Sequence, residues 1–265
     1  MVSRVLKALT AKDSNDEAQS WDKQTALIVL GNYFSPDKKT AGGPTQQEIV
    51  VDVLTNMVYP PGKTPGTGSA LFIAMTIGNG LDEESCSAKD ADGKPSSVAA
   101  YTVSGGNCGT SIYFCDNDRV NPFKYPDLSG LPTDAAQCKK TFKDGKVSYK
   151  MAPLAYILIH ELTHTLEVSE LPFKKAKVTD KLQATDDPAY GPQKVRALRD
   201  KPENGRYAAT KDVLLGPIEN ADSYAWFVVE AYFSLLCHER FGAPTSNQMA
   251  PDGVCANGPD KCTLM

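Results

Sequence analysis

Histidine is scarce in this chain, with three among 265 residues, at positions 160, 164 and 238. Long apolar runs are missing too. The longest, such as residues 26–30 and 154–159, fall far short of the roughly 20 residues a bilayer-spanning helix needs, so no membrane association is expected. An excess of positive charge is also absent: the net charge is −4 and the pI about 5.5. A phosphate backbone requires a basic surface, which sets nucleic acid aside as a partner. No CxxC pair occurs, which argues against a closely spaced thiolate metal site. There is no internal repeat, so no solenoid is expected.

What is present is an ordinary globular composition, 41% hydrophobic and 23% charged, enough for one domain with two lobes around a cleft. Seven cysteines stand at 86, 108, 115, 138, 237, 255 and 262. Six lie in polar loop sequence and read as three disulfides, with Cys108–Cys115 and Cys255–Cys262 able to close short loops. Cys237 lies in an apolar run and reads as a buried free thiol. Disulfides imply secretion, yet residues 1–10 are basic and only patchily apolar, without a signal-peptide core. The expectation is a mature extracellular segment carrying an added Met1, with a reduced intracellular protein as the alternative.

Helical patterns cover residues 15–34, where Ala18, Trp21, Leu27, Ile28 and Leu30 form a broad apolar face, and 44–59, where Thr45 and Glu48 have capping-box spacing. A Pro/Gly linker at 63–68 leads into strand-like runs at 70–77, 98–103 and 111–115. Residues 117–150 read as a polar surface excursion, 193–199 as a short helix, and 220–241 as a long buried one. Residues 242–265 read as a polar, disulfide-stapled tail.

The clearest helix is 151–168, with Pro153 in its first turn and Leu154, Ile157, Leu158, Leu162 and Leu166 at helical spacing. It contains His160-Glu161-Leu162-Thr163-His164, an HExxH motif. An i, i+4 pair advances about 400° on a 3.6-residue helix, so both imidazoles leave one face a turn apart. That spacing suits a single Zn²⁺, with Glu161 placed to act as general base toward a water. Without a metal, two histidines and a glutamate in so apolar a helix would be costly.

The pattern that adds a distant histidine ligand needs Gly at 167 and His at 170. Glu167 and Glu170 stand there instead. His238 lies sixteen residues beyond Asp222 on one helix, about 24 Å along it, and reads as a solvated residue near a helix end. Carboxylates remain for the third position, in Thr185-Asp186-Asp187-Pro188-Ala189-Tyr190-Gly191 or in Asn220-Ala221-Asp222-Ser223-Tyr224. By composition alone either is also a turn or a helix cap.

HELTH, then TDDPAYG, then NADSY, in that order, resembles the deuterolysin (aspzincin) family of secreted fungal zinc metalloendopeptidases. That family carries HExxH, GTxDxxYG and an NADSY-like segment. Upstream, Tyr101-Thr102-Val103, Asn107-Cys108 and Ile112-Tyr113 resemble its strands, and the likeness spans roughly residues 98–235. The resemblance implies an α+β, zincin-like fold: a single catalytic domain over 1–265 with helices and a twisted sheet over 1–150, a helical metal-site lobe over 151–241, and the metal helix lining the cleft. It implies Zn²⁺ held by His160, His164 and Asp187, with Asp222 the nearest alternative ligand. Glu161 becomes the catalytic base and Tyr190 a transition-state hydrogen-bond donor. Asp222 would sit in the pocket for the residue after the scissile bond, facing a substrate lysine or arginine. Residues 111–115, or a neighbouring strand, would be the edge that pairs with substrate. A monomer acting on proteins or peptides is expected, against a non-catalytic zinc-binding surface protein or effector on the same scaffold.

The chain departs from the family in three places. Ala184 replaces the glycine opening the second motif, the interval from His164 to Asp187 carries an insertion over 165–186, and Ala225 replaces a second acid. A looser basic or mixed preference, rather than strict lysine specificity, follows.

Overall fold

The structure is a computed structural model that describes residues 1–13, 15–39, 43–59, 75–80, 86, 93, 98–106, 109–116, 121–165, 167–169, 189–200, 216–246 and 248. Helix α1 spans Val2–Leu9, α2 Glu17–Tyr33 and α3 Gln46–Val58. Three strands follow, β1 Met75–Asn79, β2 Ala100–Gly106 and β3 Gly109–Phe114. Then come α4 Ala135–Thr141, α5 Leu154–Thr163, α6 Pro192–Asp200 and α7 Ala221–Cys237. At this level the chain is a mixed α and β protein with a small sheet.

Local chemistry accounts for the helix starts. Asp16 accepts from the N–H groups of Ala18 and Gln19, relieving two of the donors a helix start leaves open. Thr45 and Glu48 form the reciprocal capping box that their spacing predicts, with Glu48 reaching the Thr45 N–H at 2.7 Å. Pro153 is the cap of α5 rather than a residue of its first turn, and α5 ends at Thr163, short of 168. There the Thr163 and Thr165 hydroxyls bond back to the carbonyls of His160 and Leu162, which competes with helix continuation.

Helix α7 is the centre of the molecule. Residues 221–231 are all buried, so it is apolar nearly all round, as a core helix must be. Against it pack α1, α2, α4, α5 and α6. One continuous core runs from Val5 to Phe241 and takes in the first-half helices, α7 and the inner face of the sheet through Ala100, Ile112 and Phe114. Helix α1, in a stretch read as patchily apolar, joins this core through Val5, Leu6, Ala8 and Leu9, and Arg4 donates to the Leu235 carbonyl at 3.0 Å. Ile28, placed on the apolar face of α2 by its pattern, is instead 47% exposed.

The sheet order is β1-β3-β2, with β1 parallel and β2 antiparallel to β3. Ile77, Ile112 and Thr102 are in register across it. Strand β3 is therefore paired on both sides, which rules out residues 111–114 as a substrate-pairing edge. Among the described residues β2 has a strand neighbour on one side only, and it also packs against α5. Tyr101 stacks on Tyr113 at 5.2 Å beside the Cys86–Cys115 disulfide. Gly80 is required there, since a Cβ would come within 2.6 Å of Cys86 Sγ.

Two cysteine expectations are overturned. Cys115 pairs with Cys86 and not with Cys108, and Cys237 is no free thiol but is bonded to Cys138. Cys138 reaches it because α4, a helix inside the stretch read as polar excursion, packs against α7. Cys108, Cys255 and Cys262 lie outside the described residues, as do the 63–68 linker and the 249–265 part of the tail. No helix among the described residues is long and apolar enough to cross a membrane.

Candidate functional site

Helix α5 is wedged between α7 and β2 and brings the HExxH residues into the interior. The rings of His160 and His164 lie 5.1 Å apart on one face, as the i, i+4 spacing requires. His160 and Glu161 are completely buried. Strand β2 holds the glutamate: the Thr102 hydroxyl donates to Glu161 Oε2 at 2.8 Å and also lies 3.1 Å from the Glu161 carbonyl. Burial pushes the Glu161 carboxyl up to about 7, while His160 and the Thr102 hydrogen bond pull the other way.

The third element is the turn before α6. Tyr190 is buried and its ring lies 5.6 Å from that of His160. The next residue, Gly191, has φ = 84°, a conformation that a β-carbon would strain, and its carbonyl starts α6 by accepting from Val195 N–H. Asn220, at the start of α7, donates to the Ala189 carbonyl at 3.2 Å and so ties this turn to the helix. Burial raises the Tyr190 hydroxyl far above the ordinary tyrosine range, and the carboxylates of Asp222 and Glu161 reinforce the shift. Tyr190 is thus a hydrogen-bond donor at any working pH.

Asp222 stands in the first turn of α7, fully buried. Its Oδ1 lies 3.2 Å from His160 Nδ1 and accepts from the Tyr156 hydroxyl, and its Oδ2 accepts from Gly191 N–H at 2.6 Å. Both oxygens therefore face protein partners. Asp222 also lies on the Nδ1 side of the His160 ring.

Three buried atoms on these residues have no hydrogen-bond partner among the described residues, His160 Nε2, Glu161 Oε1 and Tyr190 Oη, and Tyr125 Oη, near the Asp222 carboxylate, is a fourth. Unsatisfied buried polar groups are costly, and three in one site call for a ligand or a reaction. His160 and His164 supply two imidazoles to this space. Asp187, the expected third ligand, lies outside the described residues, and so do Ala184 and most of the insertion (166 and 170–186). Among the described residues no group of three His, Cys, Asp or Glu side chains gathers closely enough to hold a metal. His238 is remote from the site: it caps the far end of α7, exposed, in a left-handed conformation against Trp21.

No family model, curated protein or solved structure matches this chain.

Sequence reasoning named His160, Glu161, His164, Asp187, Tyr190 and Asp222; the structure places five of them near one another, and Asp187 lies outside the described residues. Sequence reasoning missed Tyr156 and the role of Thr102. Tyr156 could have been found, since it lies four residues before His160 and so on the same helix face. Thr102 had no local signal, because only the sheet register and the packing of α5 bring it to Glu161. A further buried tyrosine, Tyr125, lies near enough to the Asp222 carboxylate for that charge to help burial push its hydroxyl up.

Proposed function

We propose that this chain is a secreted zinc-dependent endopeptidase of the aspzincin type, with a zincin-like arrangement of sheet edge and active-site helix. The observation that carries the reading is the set of buried atoms His160 Nε2, Glu161 Oε1 and Tyr190 Oη, on α5 and the turn before α6, that have no hydrogen-bond partner among the described residues. His160 and His164 would hold the Zn²⁺ and Asp187 would complete the set. When bound, the ion would polarise a peptide carbonyl and acidify a water.

The chain's own groups supply the proton chemistry. Thr102 occupies Glu161 Oε2, which leaves Oε1 to take the proton of the attacking water and return it to the leaving amine. Tyr190, kept protonated by burial, donates to the developing oxyanion. Strand β2, which among the described residues has a strand neighbour on one side only and holds Thr102 beside Glu161, takes the place of β3 as the strand that would align an extended substrate. With both Asp222 oxygens engaged, a mixed cleavage preference fits better than a basic one. Two disulfides support an oxidising, extracellular setting.

The test is a zinc analysis of purified protein together with a casein cleavage assay under chelation. The reading expects one zinc per chain and cleavage that stops with chelator and returns with zinc. Complete burial of His160 and Glu161 favours the non-catalytic alternative. Stoichiometric zinc without cleavage of any peptide in a mixed library would establish that alternative instead.

A further inference from the structure

We infer that Asp222 is a positioning residue that fixes the tautomer and orientation of His160 and, through Gly191, the place of Tyr190. The purpose of that positioning rests on the zinc-endopeptidase reading above, whereas the hydrogen-bond geometry stands without it.

A carboxylate accepts hydrogen bonds and donates none. With Asp222 Oδ1 at 3.2 Å from Nδ1, the neutral His160 ring must carry its hydrogen on Nδ1 to be satisfied. Nε2 is then left with its lone pair, buried and aimed away from Asp222. That is the form in which an imidazole binds a metal, and metal-ligating histidines characteristically rest their second nitrogen on a carboxylate or carbonyl.

Asp222 is itself held on both sides. Tyr156, one helical turn before His160, donates to Oδ1, so the tyrosine, the histidine and the aspartate close a triangle across the α5–α7 contact. Gly191 N–H donates to Oδ2 at 2.6 Å. Because Gly191 follows Tyr190, one carboxylate spans the histidine helix and the turn carrying the proposed oxyanion donor. The positive φ of Gly191 lets the turn adopt this conformation without the strain a side chain would bring. A rigid carboxylate between two reacting groups is how a site keeps its geometry to a fraction of an ångström.

Asparagine at 222 has nearly the same shape and the wrong hydrogens. With its oxygen toward His160 and Tyr156, its amide would meet Gly191 N–H donor to donor. Turned over, the amide would face Nδ1 and drive the ring hydrogen to Nε2, where it blocks a metal.

The chain has only three histidines, so ¹⁵N-histidine labelling resolves each ring. Metal-free full-length protein at pH 8 should show His160 as the Nδ1–H tautomer. D222N should raise the Nε2–H population and weaken zinc binding by about 10–100-fold in a chelator competition titration. Y156F should move both in the same direction by less. The inference is overturned if wild-type His160 is Nε2–H, or if D222N leaves both tautomer and zinc affinity unchanged. It is also overturned if the D222N defect is confined to KM for peptides with lysine or arginine after the scissile bond, since Asp222 would then face substrate. If D222N fails to fold, wild type and Y156F decide by the same criteria. If wild type binds no zinc yet shows an Asp222-dependent Nδ1–H ring, the positioning role stands and the zinc reading falls.

Discussion

Helix α7 buries two acids eight residues apart, about 12 Å along its axis, and their surroundings differ. Glu230 is surrounded by donors: Asn32 at 3.0 Å, Tyr33 at 2.6 Å and Arg196 at 2.5 Å, with the Arg196 guanidinium 5.3 Å over the Tyr33 ring. These join α2, α6 and α7, and only Arg196 Nε is left without a partner among the described residues. Asp222 is equally well held, but the groups around it are not: the far nitrogen of His160, an oxygen of Glu161 and the Tyr190 hydroxyl have no hydrogen-bond partner among the described residues. A buried network that closes on itself is structural. One that is held at the back and open at the front is built to receive something.

Four measurements break or sharpen this contrast. The largest effect is expected at the open network: E161Q should reduce peptide hydrolysis by about 10²–10⁴-fold while zinc content stays at wild-type level. Unchanged turnover would sink the assignment. At the closed network, E230Q leaves Arg196 buried without its counter-charge and should cost about 3–5 kcal/mol of stability in chemical denaturation. Zinc content of the folded fraction should not move. Next, Y190F should lower kcat by about 10²–10³-fold with little change in KM, since a donor to the oxyanion acts only in the transition state. A pure KM effect would make Tyr190 a binding residue.

The smallest effect concerns Glu219, an acid between the two extremes. Burial raises its carboxyl to about 7, and Gly216 N–H, its one hydrogen-bond partner among the described residues, pulls the other way. Because the folded pKa lies above the unfolded one, the fold favours the protonated acid. The penalty for charging it is absent below the unfolded pKa, grows as pH rises, and is complete above about 7. E219Q removes that penalty and keeps an acceptor for Gly216. Its melting temperature relative to wild type should therefore rise between pH 5 and pH 8, and a flat difference would show that Glu219 ionises freely.

What could be read from the amino acids was local. The capping box of α3 and the shared face of His160 and His164 follow from spacings of three and four residues, which helix geometry enforces whatever the surroundings. Tertiary choices were hidden. Nothing near Thr102 announces Glu161, 59 residues away, and nothing near Cys138 announces Cys237. Helix α4 was obscured by the prolines around it, and α1 by its basic residues, although each buries an apolar side against the core. Asp222 stands out by its motif, but its partners Tyr156, His160 and Gly191 do not, because chain order cannot tell which groups an acid will meet in the interior.

The Cys138–Cys237 bond has a consequence of another kind. It closes a covalent ring 99 residues around, and the whole HExxH helix, the Tyr190 turn and most of α7 lie within that ring. A single backbone scission anywhere between residues 139 and 236 opens the ring and releases no fragment. A molecule nicked there by a protease would run as one piece on a non-reducing gel and as two after reduction, so damage to it would be silent until a thiol arrived.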